Sequence, residues 1–332
     1  MYIPKPLQPG DTVAVLATSG VCDPAKLAAG VRVLQEMGLR VQVMESCNAS
    51  RCRFALNWTE DEQKRAALGA FFATDEAHVQ SKRPYLAGPD ALRLSDLHTA
   101  FANKQIKGIF VARGGYGAAR LLPHLDYAMI RKNPKVFVGF SDVTALHIVL
   151  NQFCKMTTFH GPMPASCFGG GEIHPLTLAS FKDALFQSTF FNLGVESANL
   201  KTLHPGTATG ILTGGNLSVI ASTLGTPYEI ETRGRILFLE EIGEAPYRVD
   251  RLLLQLKLAG KLSDAAGLVF GDFSPETLTS LSTAILELVI PQKKPTIWGL
   301  PCGHSSPNIT LPLGRMVTIR AKQAVPLHLS SS

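Results

Sequence analysis

The chain has little cysteine, tryptophan and charge for its length: six Cys, two Trp and 17% charged residues in 332. Cys22, Cys47, Cys52, Cys154, Cys167 and Cys302 form no C-x-x-C pair and are too sparse for a disulfide scaffold, which points to the reducing cytoplasm. No segment reaches the ~18 consecutive apolar residues of a membrane span, and the first ten residues carry no basic stretch leading into an apolar one. Neither a membrane association nor a secretory leader is therefore expected. The formal charge is +6, yet Lys and Arg form no basic run, so no nucleic-acid partner is expected either. No H-E-x-x-H and no Cys/His cluster is present, which speaks against zinc hydrolysis. Repeats and low-complexity tracts are lacking too. What remains is a globular chain, 45% hydrophobic, long enough for one large or two ordinary domains.

The apolar runs that are there alternate between two periods. Thr12–Ala17 is a short β-branched run closed by Thr-Ser-Gly, the pattern of a buried parallel strand. Asp23-Pro24 then supplies an N-cap and first helical residue, and Leu27, Val31, Leu34 and Met37 recur at helical spacing until Gly38. A second strand is expected over 39–43. This β-α-β opening predicts an α/β fold with a doubly wound parallel sheet. Residues 45–84 read as a polar excursion with one helix near 60–72. The alternation resumes with a helix to about 102, a strand over 108–112, a short helix to 122 and a strand over 136–139. After Gly169-Gly-Gly171 it loosens, and 190–215 reads as loop or short strands. A second unit follows, with a helix from about 217, a strand over 236–239, a long amphipathic helix over 247–259, a strand over 267–270 and strands near 297 and 316–319. These breaks suggest an N-terminal domain over 1–170, a linker region over 171–210 and a C-terminal domain over 211–332.

Four strand ends carry residues that chemistry could use. Gly139-Phe-Ser-Asp142 sets a serine between a strand and a helix, as in a nucleophile elbow, although Val143 replaces the usual last glycine. Helix capping by Ser141 or Asp142 is the plainer alternative. Arg113-Gly-Gly-Tyr-Gly117 could aim backbone N–H groups at an anion or an oxyanion, or could simply be a tight turn. It lacks the G-x-G-x-x-G order and a Walker lysine, so no nucleotide cofactor is implied. Glu240, Glu241 and Glu244 cluster after a strand, where they could instead stabilise the next helix through its dipole. His304 lies in the loop Gly303-His-Ser-Ser-Pro-Asn308, a natural setting for a base. The order Ser, Glu, His at successive strand ends reads as nucleophile, orienter and base.

The segments Arg113–Gly117, Gly139–Asp142, His160-Gly-Pro-Met163, Gly214-Gly-Asn216, Leu239–Glu241 with Tyr247–Arg251, and Gly303-His304 with Asn308 together resemble the serine LD-carboxypeptidases, a family that includes the microcin C self-immunity peptidases. The resemblance implies Ser141 as nucleophile, Glu240 rather than Glu241 as orienter, His304 as base, an oxyanion hole from the N–H groups of Gly115 and Asp142, and Asn216 at the substrate. It also implies an N-terminal α/β domain, a C-terminal domain built around a small β-barrel with helices, an active site between them, and a homodimer. No metal or cofactor is needed. Arg113, with Gly114 beside it, is a candidate for gripping a carboxylate because guanidinium matches that geometry, and a structural ion pair is the alternative.

The implied substrate is a murein peptide, from which terminal D-alanine is released in cytoplasmic peptidoglycan recycling. Two other readings stand beside it. One is a microcin-immunity-type peptidase acting on aminoacyl-nucleotide analogues, although Trp58 and Trp298 lie outside the segment where a base-stacking ring is expected and Phe168 is the aromatic nearby. The other is a non-catalytic protein binding a small ligand. The chain departs from the family pattern in the length of the stretch before Tyr85-Leu-Ala-Gly88 and in carrying Glu241 where aspartate is usual.

Overall fold

The computed structural model of the chain describes residues 1–52, 85–187, 200–274 and 278–322. The helix expected near 60–72 lies outside the described residues. The opening β-α-β is formed by β1 (Thr12–Leu16), α1 (Pro24–Glu36) and β2 (Arg40–Val43), with the Asp23 side chain accepting from Lys26 N at 2.9 Å as the helix cap. Then follow α2 (Asp90–Ala102), β3 (Ile106–Val111), α3 (Tyr127–Lys132), β4 (Val136–Gly139), α4 (Thr144–Gln152), β5 (Thr158–His160), α5 (Pro164–Cys167) and α6 (Pro175–Phe186).

The first sheet has the order β11-β5-β4-β3-β1-β2, where β11 is Leu311–Leu313. Its five N-terminal strands are parallel. Both faces are apolar because both are covered. Leu16, Ile109 and Phe137 pack with Leu97 and Phe101 of α2 and Leu146 of α4, while Val13, Phe110 and Val138 pack with Leu27 and Leu34 of α1 and Phe181 of α6. This is the doubly wound arrangement that the continuous hydrophobic strand runs foretell.

The second sheet is built from β6 (Lys201–His204), β7 (Gly206–Asn216), β8 (Ile236–Glu241), β9 (Gly267–Phe273), β10 (Thr296–Trp298) and β12 (Met316–Ala321), in the order β12-β7-β8-β9-β10-β6. Helices α7 (Leu217–Ser222) and α8 (Pro246–Leu258) cover one face; α9 (Lys261–Asp264) and α10 (Leu278–Ala284) complete the unit. The edge strands β6 and β12 come back into contact, so the sheet curls into a half-barrel. The expected small barrel is thus a mixed sheet with four parallel strands at its centre, because parallel neighbours need helical crossovers and those helices occupy one side. Strands β6 and β7 occupy part of the stretch expected to be loop or short strands.

Strand β11 was not anticipated. It leaves the second unit to pair antiparallel with β5 at the edge of the first sheet, Leu311 opposite His160 and Pro312 opposite Phe159. An edge position tolerates Pro312, which has no N–H to donate. The chain then returns to the second sheet through β12, so the loop preceding β11 is drawn between the two sheets. Among the described residues no helix is long and apolar enough to cross a membrane.

His147 on α4 is fully buried and spans this core, with Nε2 bonded to Gly139 O at 2.8 Å and Nδ1 to Thr158 Oγ1 at 2.9 Å. A carbonyl can only accept, so Nε2 carries the proton. Burial pushes its pKa down to about 4. The unfolded chain takes up that proton near 6.5, so between these values the unfolded state binds more protons and stability rises with pH. Acidification from about pH 6.5 to 4 is expected to remove up to roughly 3 kcal/mol through this residue. Urea titrations across that range should show a shallower pH slope in His147→Gln than in the wild type; equal slopes would rule the linkage out.

Candidate active site

Apart from Glu244 and His304, which lie on loops, the chemically suggestive residues sit at or just beyond the carboxyl ends of parallel strands, where doubly wound sheets open their crevices. Ser141 follows β4 directly, and its φ of +65° lies in the left-handed region, which a non-glycine residue adopts only when its surroundings hold it there. The side chains do not cap the helix: no side-chain cap bond is made at either the 141–143 turn or α4. Asp142 instead reaches across to accept from Ala118 N at 2.8 Å, tying the serine turn to the Gly-rich loop 113–117. Burial raises the Asp142 carboxyl above the ordinary aspartate range, opposed by hydrogen bonds from Ser19 and Ala118.

The Gly-rich loop packs directly on the serine turn. A Cβ on Gly114 would lie 2.9 Å from Ser141 Cβ, 3.0 Å from its Oγ and 3.6 Å from Asp142 N, so glycine is required by contact rather than by a turn. On its far side Gly114 O accepts from Gly20 N at 3.1 Å, and Gly20 bridges in turn to Leu86. Arg93 of α2, fully buried, holds these loops together by donating to Thr18 O and, at 3.0 Å, to Gly117 O, while pairing with Asp90. Arg113 is exposed and donates to Val21 O at 2.9 Å, leaving the rest of its guanidinium at the surface.

The three glutamates take three different partners. Glu240, fully buried, meets His304 with Oε2 2.7 Å from Nδ1. Glu241 accepts from Ser218 N at 2.8 Å, Ile242 N at 2.9 Å and Asn216 Nδ2 at 3.2 Å, so it braces the start of α7. Glu244 pairs with Arg248 at 3.3 Å. His304 keeps 17% of its side chain exposed, and its ring lies edge-on against Phe140, centroids 4.8 Å apart, beside Ser141. The base-like histidine of one unit is therefore placed at the serine turn of the other.

What holds the two units in register is the Gly214-Gly-Asn216 segment. Gly215, at φ +141°, comes so close to α4 that a Cβ would lie 2.4 Å from Thr144 Oγ1, and that hydroxyl accepts from Asn216 N at 3.0 Å. The Asn216 side chain is buried and occupied: Oδ1 accepts from Val219 N at 3.2 Å and Ser218 Oγ at 2.9 Å. In this structure Asn216 caps α7 and braces Glu241.

Family models for the LD-carboxypeptidase N-terminal domain and C-terminal domain match residues 74–161 and 209–319. A probable murein peptide carboxypeptidase of Bacillus subtilis is 40% identical over 319 residues, covering 94% of this chain and 90% of its own. The chain belongs to the LD-carboxypeptidase family. Among solved structures, a muramoyltetrapeptide carboxypeptidase from Oxalobacter formigenes aligns over 94% of this chain and 95% of its own, with TM-score 0.70 and 28% identity. An MccF-like protein from Bacillus anthracis aligns over 96% of each chain with TM-score 0.76 and 25% identity.

Within this LD-carboxypeptidase chain, Ser141 and Asp142 lie against Gly114, and His304, held by Glu240, lies against Phe140 beside Ser141. Gly115 follows in the Gly-rich loop against Gly20, Asn216 is buried against Thr144 and Glu241, and Arg113 is exposed. Sequence reasoning missed Arg93, His147 and Thr144. Arg93 had a signal: it shares the buried stripe of α2 with Leu97, Ala100 and Phe101, where a charge needs a partner. Thr144 had none, since its partner Asn216 is remote in sequence, and His147 had none, since its partners Gly139 and Thr158 lie on strands whose placement against α4 only the fold sets. An arrangement of this kind suits acyl transfer. Gly114→Ala is expected to slow labelling of Ser141 by a serine-directed fluorophosphonate by about 100-fold or more, because a methyl must displace the nucleophile. Labelling within twofold of wild type, followed by mass spectrometry, would mean that Ser141 is not confined by that contact.

Proposed function

We propose that the chain is a serine carboxypeptidase that hydrolyses the amide between the L-configured centre of a diamino acid and the terminal D-alanine of a murein tetrapeptide. The observation that carries this reading is the buried Glu240–His304 pair set against the strained Ser141 turn, in a chain 40% identical to a probable murein peptide carboxypeptidase. His304 Nδ1–H donates to Glu240, which fixes the tautomer and leaves Nε2 to accept the Ser141 proton. Oγ attacks the carbonyl, and the developing oxyanion is received by the N–H groups of Gly115 and Asp142. The imidazolium returns its proton to the departing amine of D-alanine. Water, activated by the same ring, then cleaves the acyl-enzyme, and Ser141 recovers its proton.

Arg113 offers its exposed guanidinium to the D-alanine carboxylate, since its one internal bond goes to a backbone carbonyl rather than to an acid. The reading extends to a cytoplasmic homodimer working in peptidoglycan recycling, for which the free thiols of Cys22, Cys47, Cys154, Cys167 and Cys302 are compatible support. A nucleotide substrate is less well supported. Phe168 is buried edge-on against Phe181, and Trp298 is stacked on Phe270 and Phe273, so neither ring is available to a nucleobase.

Purified protein is expected to release D-alanine from murein tetrapeptide in the presence of EDTA. Ser141→Ala should lose on the order of 10³-fold or more and Glu240→Gln roughly 10²–10⁴-fold, with melting curves showing both still folded. Full activity in Ser141→Ala would remove the nucleophile assignment. Absence of release by folded wild type would redirect the search to aminoacyl-nucleotide analogues and then to ligand binding without chemistry.

A further inference from the structure

Glu240 fixes one nitrogen of the His304 ring, but a ring on a loop also needs its backbone held. The loop is short of regular structure and lies at a surface, and its own bonds are few. Gly303 N donates to Asn308 Oδ1 at 3.1 Å, and Ile309 N donates to Pro301 O at 2.9 Å, closing the loop on itself. Those bonds shape the loop without securing it to the sheet that carries Glu240.

That second anchor is a carboxylate. Asp272, near the end of β9, stands next to the β8 strand end that bears Glu240. Its backbone N donates to Cys302 O at 3.0 Å, and its carboxylate takes both hydrogen bonds that Ser305 can donate, Oγ to Oδ2 and backbone N–H. Residues 302 and 305, on either side of His304, are thus tied to the same aspartate. Gly303 is threaded between the two acids: a Cβ there would lie 3.0 Å from Glu240 Oε2 and 3.3 Å from Asp272 Cβ. The half-buried Asp272 also sits close enough to the His304 ring for their charges to interact.

We infer that Asp272 is a second positioning carboxylate for the base, anchoring the backbone of the His304 loop while Glu240 orients the ring. The inference rests on the reading of His304 as the general base. It also accounts for Ser305 in the Gly303-His-Ser-Ser-Pro-Asn308 loop, whose hydroxyl donates to the Asp272 carboxylate. The titratable and charged groups facing His304 are Glu240 from β8, Asp272 from β9 and the buried, neutral His160 from β5, whose pKa desolvation holds well below the ordinary histidine range. Removing the Asp272 charge takes one of two anions from this set, so protonated His304 is destabilised and the acid limb of kcat/KM moves to lower pH.

Asp272→Asn and Asp272→Ala separate the two contributions, because asparagine can still accept from Ser305 N–H whereas alanine cannot. D-alanine release from murein tetrapeptide is measured against pH for wild type and both variants, together with an NMR titration of the His304 ring and a melting curve. Asp272→Ala is expected to lose kcat by about tenfold or more with KM within about twofold, since it frees the loop without touching the peptide. Asp272→Asn is expected to keep more of kcat, while its acid limb and the His304 titration midpoint both move down by about 0.3 pH unit or more. If Asp272→Ala fails to fold, the Asp272→Asn shift decides. The inference is overturned by kcat within twofold in Asp272→Ala, by a loss confined to KM, which would make Asp272 a substrate contact, or by an unmoved titration in Asp272→Asn. Inactivity of wild type would instead count against the peptidase reading, and the NMR titration would still measure whether Asp272 couples to His304.

Discussion

The hydrogen bond between Glu240 and His304 joins residues 64 apart in the chain and buries a carboxylate completely, so the geometry around it has little freedom. A buried acid without its partner would cost several kcal/mol, and the partner here is the one ring that must also reach the serine turn. The remainder of the site is arranged to satisfy that demand. The parallel strands β8 and β9 bring Glu240 and Asp272 to one edge, and the excursion of the chain through β11 into the first sheet pulls the loop bearing His304 across the boundary between the two units.

The two halves are kept in register by contacts too close for any side chain. Gly215 packs on Thr144, the first residue of the helix that follows the serine turn, and Gly114 packs on Ser141 itself. Around them a set of buried polar side chains ties loop to loop: Arg93 to the ends of β1 and the Gly-rich turn, Asp142 to Ala118, His147 to the carbonyl of Gly139. Each spends at least one hydrogen bond on backbone, and Arg93 and His147 also hold the side chains of Asp90 and Thr158. Such groups are expensive to bury unpaired, so the loops they hold are fixed more firmly than their glycine content suggests.

The fold adds partners that the residues alone do not show. Asn216, which the resemblance places at the substrate, also caps α7 and braces Glu241. Asp142, a candidate helix cap or amide donor, clamps the neighbouring loop through its side chain. Glu240, Glu241 and Glu244 are indistinguishable as a run of acids, yet one meets the histidine, one a helix start and one an arginine. Adjacent residues on a strand point to opposite faces, so two neighbouring glutamates cannot both reach the same partner.

The sequence by itself determined the class of the fold and named the candidates for the site. Strands buried on both faces must be apolar throughout, the intervening helices must be amphipathic, and glycine must stand where two backbones nearly touch, so these features are written locally. The serine turn, the Gly-rich loop and the loop bearing His304 stand out in the sequence for that reason. Only the tertiary structure decided that β11 crosses into the first sheet, that the second sheet curls into a half-barrel, and that Thr144 meets Asn216 and Asp272 meets the His304 loop. Those are statements about distance between segments far apart in the chain, and hydrogen bonds select partners by separation and angle in space, about which spacing along the sequence is silent.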